Sequence, residues 1–138
     1  MGVGPSSTIY RKMELPTRAK VVVPPPSKKG KVIEFHSPSK WKIYFEASKQ
    51  MSSKLIVVYF TASWCGPCHL MQPVVTDFAD KYDNVEFIKI DVDEMEKVAE
   101  EFSVRIMPTF VLIKGSKQVD KVVGAKAEEL QKKIEKHR

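Results

Sequence analysis

Cysteine is scarce in this chain, with two in 138 residues. Two thiols are too few for the disulfide framework that staples small secreted proteins. No apolar run approaches the ~20 residues that would span a membrane, and the start shows no apolar signal-peptide core. There is no second cysteine pair, and His36 and His137 lie far off in sequence, so four zinc ligands do not come together. Internal repeats and a Gly-rich nucleotide fingerprint are also missing. What remains is one domain's worth of chain, with 43% hydrophobic content, enough for a real core.

Net charge is missing from most of the molecule. Residues 1–31 hold seven Lys/Arg and one acid, Glu14, and account for the whole formal charge of +6. Residues 32–138 carry 16 basic and 16 acidic residues. A pI near 9.3 would usually suggest nucleic acid, but the globular part offers no net basic charge, and that partner class is set aside. Residues 1–31 read as a flexible basic extension. Its five prolines, Pro24-Pro25-Pro26 among them, block a long helix and favour a polyproline-like end. The opening Met1-Gly2-Val3-Gly4-Pro5-Ser6 fits the pattern for myristoylation at Gly2, with the lysines as a second membrane signal. An unstructured tail and an organelle transit peptide are the alternatives.

Residues 32–138 read as a folded domain. Lys31 to Phe35 predicts a short strand. Ser37-Pro38 opens a helix, a capping serine followed by proline at the first helical position. Trp41, Tyr44, Phe45 and Ser48 recur at helical spacing and carry that helix to about Met51. Leu55 to Phe60 is apolar on both faces, as a central strand covered on both sides would be. Met71, Val74, Val75, Phe78 and Tyr82 predict a helix over Leu70 to Tyr82, which Pro73 should kink. Val85 to Asp91 predicts a strand and Glu94 to Phe102 a helix with early acids. Pro108 to Ile113 and Gln118 to Val123 predict a hairpin about Lys114-Gly115-Ser116, and Lys126 to His137 a last helix. Strands alternate with helices, then two strands follow in a row. The expected fold is α/β, a mixed sheet with helices on both faces.

The two cysteines stand in Trp64-Cys65-Gly66-Pro67-Cys68, between the central strand and the long helix. Thiols one helical turn apart can close into a disulfide and reopen. A free thiol, with pKa ~8.5, is only a few per cent thiolate at neutral pH, yet attack on a disulfide needs the thiolate. Cys65 precedes a helix, whose unpaired N–H groups and positive dipole end favour an anion. It is expected to be the exposed attacking thiol, and Cys68, one turn further in, the buried resolving thiol. Gly66-Pro67 sets the stiffness between them. An inert structural bridge over so short a loop would gain little stability.

These residues resemble the thioredoxin family over roughly residues 32–138. The resemblance rests on Trp64 to Cys68, Pro73, Met107-Pro108-Thr109 and Val123-Gly124-Ala125. Phe60 to Trp64 and Phe87 to Glu94 are similar to plant h-type members, and the extension resembles their subgroup with an N-terminal extension. The resemblance implies the thioredoxin fold and a protein-disulfide reductase with Cys65 as nucleophile and Cys68 as resolving thiol. It implies that Trp64 contacts partners, that Pro108 is cis and faces the cysteines, and that the Met107 backbone pairs with an extended target segment. Gly124 would leave room for that segment. No bound cofactor is implied beyond the redox-active disulfide. NADPH would enter only through a thioredoxin reductase partner, and the other partners would be disulfide-containing target proteins. A glutathione-linked donor, a membrane-tethered redox relay and a low-turnover binding module are the alternatives. A monomer in the cytosol is expected, with a membrane surface as a second location. One departure stands out. Family members usually place a buried aspartate six residues before the first cysteine, where this chain has Tyr59, while the lysine that lies near it is retained as Lys89. A phenol with pKa near 10 is a poor base at neutral pH.

Overall fold

The computed structural model describes residues 31–50 and 53–138. Gly2 and all of the expected extension except Lys31 lie outside the described residues, as does the expected helix end at Met51. The elements in chain order are β1 (Ile33–Phe35), α1 (Pro38–Ser48), β2 (Leu55–Thr61), α2 (Gly66–Lys81), β3 (Val85–Asp91), α3 (Glu96–Glu101), β4 (Thr109–Lys114), β5 (Lys117–Val123) and α4 (Ala127–His137).

All seven residues of β2 are buried, because β2 is the middle strand of a five-stranded sheet ordered β1-β3-β2-β4-β5. It runs parallel to β3 and antiparallel to β4; β1 is parallel to β3, and β5 antiparallel to β4. The sheet is therefore mixed, as the sequence predicts. Side chains alternate across a strand. Leu55, Val57 and Tyr59 thus join Met71, Val75 and Ala79 of α2 and Leu130 and Ile134 of α4. Ile56, Val58 and Phe60 join Trp41 and Tyr44 of α1 and Val98 and Ala99 of α3 on the other face. Each large apolar side chain so buried contributes ~1.5–3 kcal/mol, and the two layers clamp β2 between them.

The element ends differ from the sequence expectation where local hydrogen bonds decide them. The first strand is confined to Ile33–Phe35. Helix α1 stops at Ser48 rather than about Met51, because the last amides turn to nearer carbonyls: Lys49 N–H donates to Glu46 O and Gln50 N–H to Ala47 O. Helix α2 starts four residues earlier than Leu70, at Gly66, and continues through Pro73. Helix α3 starts at Glu96, because the amides of Glu94 and Met95 are taken by Asp91 O in a turn. Pro108 precedes β4 instead of opening it. The hairpin loop is the two residues Gly115 and Ser116, with φ of 63° and 62°, the left-handed pair that matches strand twist. Helix α4 begins at Ala127, one residue inside the expected range.

Candidate active site

The chain leaves β2 at Thr61, whose carbonyl accepts the Val92 amide at 2.9 Å. It then turns tightly, with Cys65 N–H donating to Ala62 O at 3.1 Å. Cys65 is the N-cap of α2, extended at φ −91° and ψ 109°. Its Sγ accepts the Cys68 amide at 3.2 Å, the place a capping oxygen ordinarily fills. Pro67 falls in the first turn, where no amide is missed. Gly66 has nothing within 4 Å of where a Cβ would stand. Cys65 and Cys68 are joined as a disulfide with their Cα atoms 5.3 Å apart, an ordinary bridge separation.

One expectation is corrected. Cys65 is only 4% exposed, close to the 2% of Cys68. Its sulfur turns inward to bond Cys68 and lies 3.6 Å from the Met107 carbonyl oxygen, while Ala62, Val92 and Met107 close around the pair. The rim above is open: Trp64 is 66% exposed, and Gly66 and Pro67 are exposed. The Trp64 indole N–H donates to Asp93 Oδ2 at 2.9 Å, and the Asp93 amide donates to Asp91 Oδ1 at 2.8 Å.

Opposite the cysteines, the Met107–Pro108 peptide bond is cis. The Pro108 carbonyl accepts the Gly124 amide at 2.8 Å, which joins this loop to the end of β5. Gly124 has φ 102°, and a Cβ there would meet only the Lys126 side chain at 3.7 Å. Its backbone conformation, more than free space, requires glycine.

Tyr59 is 1% exposed and stacks on Phe110 with ring centroids 5.1 Å apart. Its hydroxyl donates to the Cys68 carbonyl at 2.7 Å. Burial pushes its pKa above the ordinary value, so the phenol keeps its proton. Lys89 pairs with Tyr59 in register between β3 and β2, but its ammonium turns to Glu34 at 4.0 Å. Tyr59, Lys89 and Cys68 share a cavity of about 290 Å³ with Thr61, Ala62, Ser63, His69, Gln72 and Asp91. His69 Nε2 lies 3.0 Å from Ser63 O; a carbonyl only accepts, so this nitrogen carries the proton.

The structure thus brings together Cys65, Cys68, Trp64, Gly66, Pro67, Met107 and Pro108, with Gly124 tied to Pro108 and with Tyr59 and Lys89 on the far side of Cys68. Sequence reasoning missed His69, Asp91 and Asp93. His69 adjoins Cys68, and Asp91-Val92-Asp93 holds two acids two residues apart, the spacing at which an aspartate accepts the later amide. Among the described residues no group of three or more His, Cys, Asp or Glu could hold a metal ion.

Comparison with known proteins agrees with this geometry. The thioredoxin family model matches residues 33–136. Thioredoxin H2 of Arabidopsis thaliana is 47% identical over 112 residues, covering 81% of this chain and 84% of its own. Thioredoxin H-type 1 of Nicotiana tabacum is 51% identical over 111 residues, covering 80% and 87%. The crystal structure of a thioredoxin h from Nicotiana alata superposes with a TM-score of 0.77 at 55% identity, covering 81% of this chain and 96% of that one. A cysteine pair capping a helix beneath a cis-proline loop, on a sheet of this order and with these relatives, means that the chain belongs to the thioredoxin family and is a thiol–disulfide oxidoreductase acting as a protein-disulfide reductase.

Proposed function

We propose that Cys65 is the attacking thiol and Cys68 the resolving thiol of a two-step exchange with target proteins. The carrying observation is the Cys68 amide aimed at Cys65 Sγ at the start of α2. That N–H and the positive end of the helix stabilise a negative sulfur. In the reduced protein the Cys65 thiolate attacks one sulfur of a target disulfide. A mixed disulfide forms, and the target's other sulfur leaves as a thiolate, which takes a proton from water. Cys68 then gives up its proton and attacks Cys65 Sγ. The Cys65–Cys68 disulfide forms and the second target thiol is released. Two electrons pass from the dithiol to the target.

Trp64 and the Met107 backbone hold the target, the latter by adding an extended segment as a local strand. Tyr59 is no base for the Cys68 proton: burial raises its pKa and keeps the phenol neutral, with its hydroxyl donating to the Cys68 carbonyl. The cavity beside Cys68 is roomy enough for water at about 30 Å³ per molecule, and water carries that proton away. The dithiol is restored by an NADPH-dependent thioredoxin reductase; this chain binds no cofactor of its own. The protein works as a monomer in a reducing compartment, the cytosol.

Insulin-disulfide reduction at pH 7, with NADPH and a plant-type thioredoxin reductase, tests the cycle. Sustained NADPH oxidation that is lost in Cys65→Ser is the expected result. No turnover with an active reductase would reject this cycle in favour of a glutathione-linked donor or of binding without turnover.

A further inference from the structure

Beside the cis-proline loop lies a groove of about 360 Å³ lined by Ser103, Arg105, Ile106, Thr109, Lys121 and Val123. Two of these residues, Thr109 and Val123, pair at the open end of the β4–β5 hairpin. The Thr109 hydroxyl donates to the Ile106 carbonyl and fixes the rim. Ile106, 60% exposed, and Val123, 38% exposed, give it apolar walls. Its charge is of one sign: the lining holds two cations and no carboxylate. Arg105 is exposed. Lys121 is held in place by its ammonium, which donates to Phe102 O at 3.4 Å and Ser103 O at 3.3 Å. An ammonium has three N–H groups, so those two bonds leave one to offer.

The groove continues the surface around the disulfide. Ile106 directly precedes Met107, whose carbonyl lies 3.6 Å from Cys65 Sγ. Val123 directly precedes Gly124, whose amide holds Pro108 O. An extended segment laid along Met107 in the direction of Ile106 would run toward this groove. Its side chains on one face recur every ~6.6–6.8 Å, so a residue two places from the target cysteine would be the one offered to the groove. A guanidinium grips a carboxylate through paired N–H groups.

We propose that this groove reads charge, taking an acidic side chain carried by the target segment that adds along Met107. The proposal rests on the reductase reading and adds the class of target it prefers: disulfides flanked by Glu or Asp.

The test uses the full chain with NADPH and thioredoxin reductase and two disulfide-bridged peptides, identical except for Glu or Lys two residues from the attacked cysteine. The Glu peptide is expected to show about three- to tenfold higher kcat/KM, carried by KM, the range of one or two partly exposed ion pairs. The preference should shrink at high salt. Arg105→Gln should reduce it, and Arg105→Glu should reverse it. Reduction of both peptides with equal kcat/KM, or a preference that Arg105→Glu leaves intact, overturns the groove proposal and leaves the reductase reading standing. Reduction of neither peptide, nor of insulin, overturns the reductase reading and this proposal with it.

Discussion

Tyr59 places a phenol where the family's buried carboxylate usually stands, and its hydrogen bond tells which way its proton points. Because the hydroxyl donates to Cys68 O, removing it deletes one buried hydrogen bond. Tyr59→Phe should therefore cost ~1 kcal/mol of stability, read by thermal unfolding, and leave insulin reduction within about twofold, since no proton is accepted at that oxygen. Tyr59→Asp is the opposite case. It removes the stack on Phe110 and empties part of the core, at ~2–4 kcal/mol. It also puts a base beside Cys68, so release of the mixed disulfide should speed up and its pH midpoint fall; an unchanged pH–rate profile would count against proton loss from Cys68 as the controlled step. That Tyr59 was unusual is legible from its distance to Cys65 along the chain. Its commitment to a carbonyl on another element is not, because that contact is made only when α2 packs on β2. The burial of Cys65 was hidden for the same reason: the covering atoms belong to Met107 and Val92, remote in sequence.

At the scale of elements, α4 is fastened to β5 by charge as well as by Leu130 and Ile134. Asp120 receives His137 Nε2 at 2.9 Å and Lys133 Nζ at 3.0 Å. Burial alone would raise its pKa, but these hydrogen bonds outweigh it and hold the carboxyl down to about 2. A carboxylate whose folded pKa is depressed adds stability above its unfolded pKa of ~3.9 and loses it as pH falls toward the folded value. Asp120→Asn should thus cost about 1 kcal/mol at pH 7, after allowance for solvent screening, and the gap from the native protein should close between pH 4 and pH 2, read by urea unfolding at each pH. Gly124→Ala tests the end of β5 differently. With no clash to relieve and φ at 102°, it should cost ~1–2 kcal/mol of backbone strain, read by thermal unfolding. Every strand and helix among the described residues was legible from hydrophobic period and turn residues. The ends were not, because amide choices such as Gln50 to Ala47 or Met95 to Asp91 leave no trace in composition.

Over the whole molecule, function and charge are divided between two stretches of chain. Residues 32–138 are balanced and hold the chemistry, while residues 1–31 hold the +6. No helix among the described residues is long and apolar enough to cross a membrane. Basic residues near an anionic lipid surface contribute about 1 kcal/mol each. The full chain should therefore cosediment with phosphatidylserine vesicles at low salt, and a chain lacking residues 1–30 should not, while insulin reduction is the same for both. Intact-mass analysis of native material would show whether Gly2 carries an acyl group, which would strengthen that binding. The sheet's polarity has a practical consequence. Because β4 runs antiparallel to β2, Thr109 lies level with Phe60 near the cysteines and Lys114 level with Leu55 at the opposite pole. Gly115 and Ser116 therefore lie at the pole of the sheet away from the disulfide. A tether attached there would hold the protein to a bead or an electrode with its sulfurs facing outward, ready to fish out partners trapped on Cys65.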